Sequence, residues 1–128
     1  MRGFSKEIKS FLTQVGVNDG IRIAMVPKSD SCGGPGDILF FRYKLGNGRG
    51  SRDFRILLLT EPITKDAKTG NQLLTGFKVP PNGSYSPDSL ETLYNNSELP
   101  EDGYRTYIMK NIFGPLRKIN KINPDEEK

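Results

Sequence analysis

The sequence predicts a mainly β domain, a small antiparallel barrel of about five short strands with two short helices added to it. Two observations lead there. Apolar residues come in short runs, several of them alternating, and each run ends in Gly, Pro, Asn or Asp. The chain of 128 residues spends 14 on Gly and 9 on Pro, too many turn formers for a helical bundle. At 34% hydrophobic and 27% charged it is apolar enough to build one core, and its length suits one domain.

The elements follow in order. Phe4, Ile8, Phe11, Leu12 and Val15 recur at helical spacing, with Ser5 as a candidate cap and Gly16 as a stop. The stripe Phe4, Ile8, Phe11, Leu12 is a candidate protein interface, either closing over its own barrel or docking on another subunit. Asn18-Asp19-Gly20 reads as a turn, and Ile21–Val26 as a short strand ended by Pro27. Residues 28–35 form a loop, in which Cys32 is expected as an inert, exposed thiol.

Gly34-Pro35-Gly36-Asp37 then makes a tight turn into Ile38-Leu39-Phe40-Phe41-Arg42-Tyr43-Lys44, the densest aromatic strand in the chain. Both of its faces begin apolar, so both require cover. One is expected inside the barrel, the other beneath the N-terminal helix or a partner. A Gly/Asn/Arg loop joins it to a second strong strand, Phe54–Thr60, as an antiparallel hairpin. Leu73–Val79 is a third strand, and Gly76 within it signals a bend or a close backbone approach. Ser86-Pro87-Asp88 has the form of a helix start, for a helix of two or three turns ending near Asn95-Asn96. Tyr104–Ile108 reads as a strand, Met109–Phe113 as a single 3₁₀ turn and residues 115–122 as the closing strand. The expected division is a helical extension over 1–18, a barrel domain over 20–122 and a polar tail over 123–128.

Several kinds of chemistry have no residues to carry them. The chain has no histidine and one cysteine, so the usual general base, metal imidazole and intramolecular disulfide are missing. No cofactor, metal site or small-molecule substrate is expected. No apolar run approaches the length of a membrane span, and no signal-peptide pattern opens the sequence. Net charge is +4, but it is unevenly spread. Residues 1–60 carry ten Lys and Arg against five acids, residues 61–103 three against seven, and residues 104–128 six against three. An acidic middle between basic ends suits contact with a partner or with a neighbouring copy. Glu98, Glu101 and Asp102 read as acidic surface.

The candidate binding site is the basic hairpin: Lys44, Arg49, Arg52 and Arg55, with Tyr43 and Phe54 beside it. Those cations suit nucleic acid or an acidic protein neighbour, and equally a solvated loop. Gly34 to Ile38, followed by Arg52 to Thr60, resembles the opening of the MazF/PemK toxin ribonucleases, which are SH3-like barrels. That resemblance implies cleavage-site roles for Arg55 (or Arg52) and Thr60, although Asp53-Phe54-Arg55 stands where those toxins usually have Arg-Pro. A second resemblance spans residues 35–120. Gly36-Asp37-Ile38, Leu74-Thr75-Gly76-Phe77 and Tyr104-Arg105-Thr106-Tyr107 occur in the order seen in small SH3-like accessory proteins of tailed phages. It implies a non-catalytic role in a virion, at the neck, tail or baseplate, with assembly in the host cytoplasm. The partners it implies are other virion proteins and copies of the chain itself.

Overall fold

The computed structural model describes residues 21–44, 53–80 and 84–121. Seven strands and one helix account for most of them: β1 (Ile21–Val26), β2 (Ile38–Tyr43), β3 (Asp53–Leu59), β4 (Thr64–Lys65), β5 (Gln72–Lys78), α1 (Pro87–Asn95), β6 (Tyr104–Ile108) and β7 (Ile112–Lys121). Single 3₁₀ turns, Glu101–Gly103 and Met109–Asn111, precede β6 and β7. The expected N-terminal helix with Phe4, Ile8, Phe11 and Leu12, the loop cations Arg49 and Arg52, and the tail over 123–128 lie outside the described residues.

All pairings are antiparallel, in the order β1-β7-β2-β3-β5-β4, with β6 on the other side of β5. The sheet curls into a half-barrel. Tyr43 on β2 and Tyr107 on β6 are separated by two intervening strands, yet their ring centroids lie 4.8 Å apart. Two features bend the sheet this far. The first is a bulge in β7: Phe40 pairs with Arg117 but Arg42 with Phe113, so between these pairs one residue of β2 faces three of β7. Gly114, at φ +73°, and Pro115 fall in the excess. A bulge releases a proline from donating to the ladder and increases the local twist. The second is Gly76, whose backbone lies so close to β3 that a Cβ would collide with the Leu58 carbonyl oxygen. This is the close approach the sequence led us to expect.

Alternation along the strands divides the core in two. The concave side holds Leu39, Phe41, Tyr43, Leu57, Leu59, Leu74, Tyr107, Met109, Ile112 and Leu116. The convex side holds Ile38, Phe40, Ile56, Leu58, Phe77 and Val79, covered by Leu90 of α1 and by Leu99. Among the described residues, the cover on the second face of β2 comes from the inserted helix and Leu99.

Helix α1 is defined at both ends by local chemistry. Ser86 and Ser89 form a reciprocal capping box: Ser89 N–H donates to the Ser86 hydroxyl (3.1 Å) and Ser86 N–H to the Ser89 hydroxyl (2.9 Å). Pro87 occupies the first helical position, where its missing N–H costs nothing. At the C-terminal end Ser97 N–H donates to Tyr94 C=O and Glu98 N–H to Leu93 C=O, the bond pair of a Schellman motif. The left-handed position in it is filled by Ser97, at φ 58°, where glycine is usual.

Candidate interaction surfaces

The turn before β2 is built by its own residues. Gly36, at φ +95°, follows Pro35, and Asp37 N–H donates to Gly34 C=O (3.0 Å), as a type II turn requires. The Asp37 carboxylate accepts from Gly34 N–H (2.9 Å) and lies 3.7 Å from the Lys118 ammonium. Gly36 N–H and Leu59 N–H then bind the turn to the end of β3 through Leu59 C=O and Asp37 C=O. The carboxylate thus shapes the entry to the central strand.

The same fold corrects the expectation for Cys32. The thiol is fully buried in the concave core, not exposed in a loose loop. Its burial raises the thiol above its ordinary pKa, and Asp37 and Asp30 add to the effect against the opposing pull of its backbone hydrogen bond and of Lys118. The loop stays in place because Cys32 N–H bonds to Ser29 C=O (3.0 Å) while the side chain packs inward.

Of the predicted basic hairpin, the described residues include Lys44 and Arg55. Lys44 is exposed at its base. Arg55 is not at the tip: it pairs with Phe41, so it shares the concave face, and it sits half-buried beside Tyr107. Burial pushes the Tyr107 phenol up, and the charge and hydrogen bond of Arg55 offset part of that rise. Arg55 and Thr60, the pair implied by the toxin resemblance, are five residues apart along an extended segment, about 16 Å.

Among the described residues, three clefts can be placed on the outside. One of about 340 Å³ lies between α1 and the sheet, lined by Ile38, Leu58, Tyr94 and Ile119 with Asp37 and Lys118 at its rim. A second, of about 400 Å³, has walls from Phe77, Tyr85, Pro80 and Pro100 and charges from Asp102 and Arg105. Gly103 is needed there, since a Cβ would run into the Phe77 ring. The third is the most polar. About 590 Å³ in volume, it is bounded by Lys28 after β1, by Lys65 and the 70–72 segment of the β4–β5 hairpin, and by Met109, Lys110 and Ile112 at the 3₁₀ turn. Lys28 Nζ donates to Ile112 C=O (3.2 Å), and Lys44 N–H donates to Asn111 C=O (2.9 Å), which brings a fourth lysine beside the same turn. No local pattern in the sequence links these lysines, because they come from segments far apart in the chain.

Among the described residues, no group of His, Cys, Asp and Glu is arranged to hold a metal ion, and no helix is long and apolar enough to cross a membrane. The scan against protein-family models gave no match, and the searches of curated proteins and of solved structures gave none either.

Proposed function

We propose that the chain is a non-catalytic assembly protein, an SH3-like small barrel that works through protein–protein contacts in a tailed-phage virion, at the neck, tail or baseplate. The observation that favours contact function is the filled concave face. A curled sheet of this kind can hold a small ligand in its hollow. Here Leu39, Phe41, Leu57, Leu59, Leu74 and Leu116 fill it, each nearly or fully buried. The clefts lie around the outside, where a neighbouring protein would reach them.

The SH3-like reading draws on the meander β2-β3-β5-β6, on β7 returning beside β2, and on the 3₁₀ turn before that last strand. The virion setting rests on the phage-protein resemblance. Two of its three motifs form one unit in the fold, with Leu74 opposite Tyr107 and Phe77 opposite Tyr104. The test is co-sedimentation: a tagged chain expressed during particle assembly should travel with assembled particles through a density gradient. A chain that stays wholly with free protein at the top would sink the proposal.

A second reading, nucleic-acid binding, draws on exposed Lys44 beside the three-lysine cleft. It predicts binding to single-stranded RNA that weakens steeply with salt. The ribonuclease reading has less support, because Asp53-Phe54-Arg55 stands where those toxins usually have Arg-Pro and Arg55 is half-buried beside Tyr107.

A further inference from the structure

We propose that the lysine cleft at the 3₁₀ turn Met109–Asn111 is a socket for the acidic turn Glu98–Asp102 of a second copy of this chain. The reading deepens the assembly role above and takes its biological setting from it.

The socket has an unbalanced charge. Lys28, Lys65 and Lys110 line it, and among the described residues no carboxylate does. The nearest acid in sequence, Asp66, is already committed: its carboxylate accepts from the Thr69 hydroxyl (2.7 Å) and from Lys68 N–H (3.4 Å). Those bonds hold its acid below the usual range, the Thr69 hydroxyl contributing most, and keep it within its own turn. None of the three lysines forms an ion pair with another described residue.

The complementary surface is on the other face of the sheet. From residue 79 to residue 104 the chain has five acids and no Lys or Arg. Three of these acids, Glu98, Glu101 and Asp102, are exposed on a short turn that the fold holds rigidly. Leu99, 8% exposed, anchors the turn in the convex core. Glu98 N–H is fixed to Leu93 C=O (2.8 Å), and the Arg105 guanidinium donates to Asp102 C=O (2.9 Å). A projecting, preorganised acidic turn matches a recessed basic cleft, and little conformational freedom is lost when they meet.

The two surfaces cannot neutralise each other within one molecule, because the sheet lies between them: Met109 and Ile112 belong to the concave core, Leu99 to the convex one. Socket and plug on opposite sides make a head-to-tail contact, which closes into a ring or continues as a filament. One contact of this kind is small and charge-dominated, so it is weak alone, sensitive to salt, and strengthened by closure.

The experiment is sedimentation velocity of the full chain with a charge exchange. At about 50 mM salt the protein should show concentration-dependent association that is lost at about 500 mM, where charges are screened within a few ångströms. Lys65→Glu/Lys110→Glu and Glu98→Lys/Glu101→Lys should each sediment as monomer. An equimolar mixture should regain at least the larger part of the wild-type association, since each variant then offers the other an opposite charge. All four positions are exposed. Thermal melts check that each variant is folded, and the Gln variants replace any that is not, with loss of association expected but no recovery on mixing. A wild-type chain that remains monomeric at low salt, or charge-reversed variants that do not recover on mixing, would overturn the proposal. Its failure is distinguishable from failure of the virion reading. Particles that carry the chain while the charge exchange fails reject only the socket, and a working exchange with no chain in particles rejects only the setting.

Discussion

The Tyr43 hydroxyl accepts hydrogen bonds from Ile108 N–H (3.0 Å) and from the Asn111 side-chain amide (3.4 Å), so one phenol ties β2 to the far strand of the curl. Tyr43→Phe keeps the ring contacts and strands a partly buried N–H, and should lower stability by about 1–2 kcal/mol in urea denaturation. Cys32 offers a pH test. Its thiol is held above its ordinary pKa in the folded chain. The unfolded thiol therefore gives up its proton first, the unfolded state binds fewer protons, and stability falls as pH rises above about 8.5. Cys32→Ala should remove that part of the slope in urea midpoints measured across this window. At this scale the sequence was an uneven guide. Pro35-Gly36 announced its turn through known backbone preferences. Cys32 looks exposed because its neighbours are turn formers, and only the tertiary packing of the concave core encloses it. Arg55 looked like part of a basic tip, yet strand alternation turns it toward Tyr107.

The helix and the strands carry their own signals, and these were mostly readable. Ser86-Pro87-Asp88 marked the start of α1, and the two-faced apolar pattern of β2 required a layer on each side. That α1 supplies cover on the outer side was hidden, because hydrophobic pattern alone does not say which face a helix packs against. The C-terminal end of α1 is suboptimal. Ser97 adopts a left-handed conformation that glycine adopts without steric cost. Ser97→Gly should raise stability by about 1 kcal/mol, seen as a higher melting temperature. Gly76 presents the opposite case. Gly76→Ala drives a methyl group against the Leu58 carbonyl and should cost about 3 kcal/mol or more, measured by the same melts. The strand β4, only two residues long, and the β7 bulge left no signal, since both depend on what pairs beside them.

For the molecule as a whole, the acidic turn Glu98–Asp102 and the lysine cleft lie on opposite sides of a curled sheet. The acidic middle is legible as a segment, because its acids follow one another in the chain. The lysine cleft is not, since Lys28, Lys65 and Lys110 meet only when β1, the β4–β5 hairpin and the 3₁₀ turn come together. Fold and surface together describe a body with both faces of its central sheet packed and its distinguishing chemistry outside. That arrangement is the basis for reading it as a component of an assembly. The most direct measurement is quantitative mass spectrometry of purified tailed-phage particles from the source of this chain. The account predicts its peptides at a constant number of copies per particle across preparations. Particles that contain none of its peptides would contradict it.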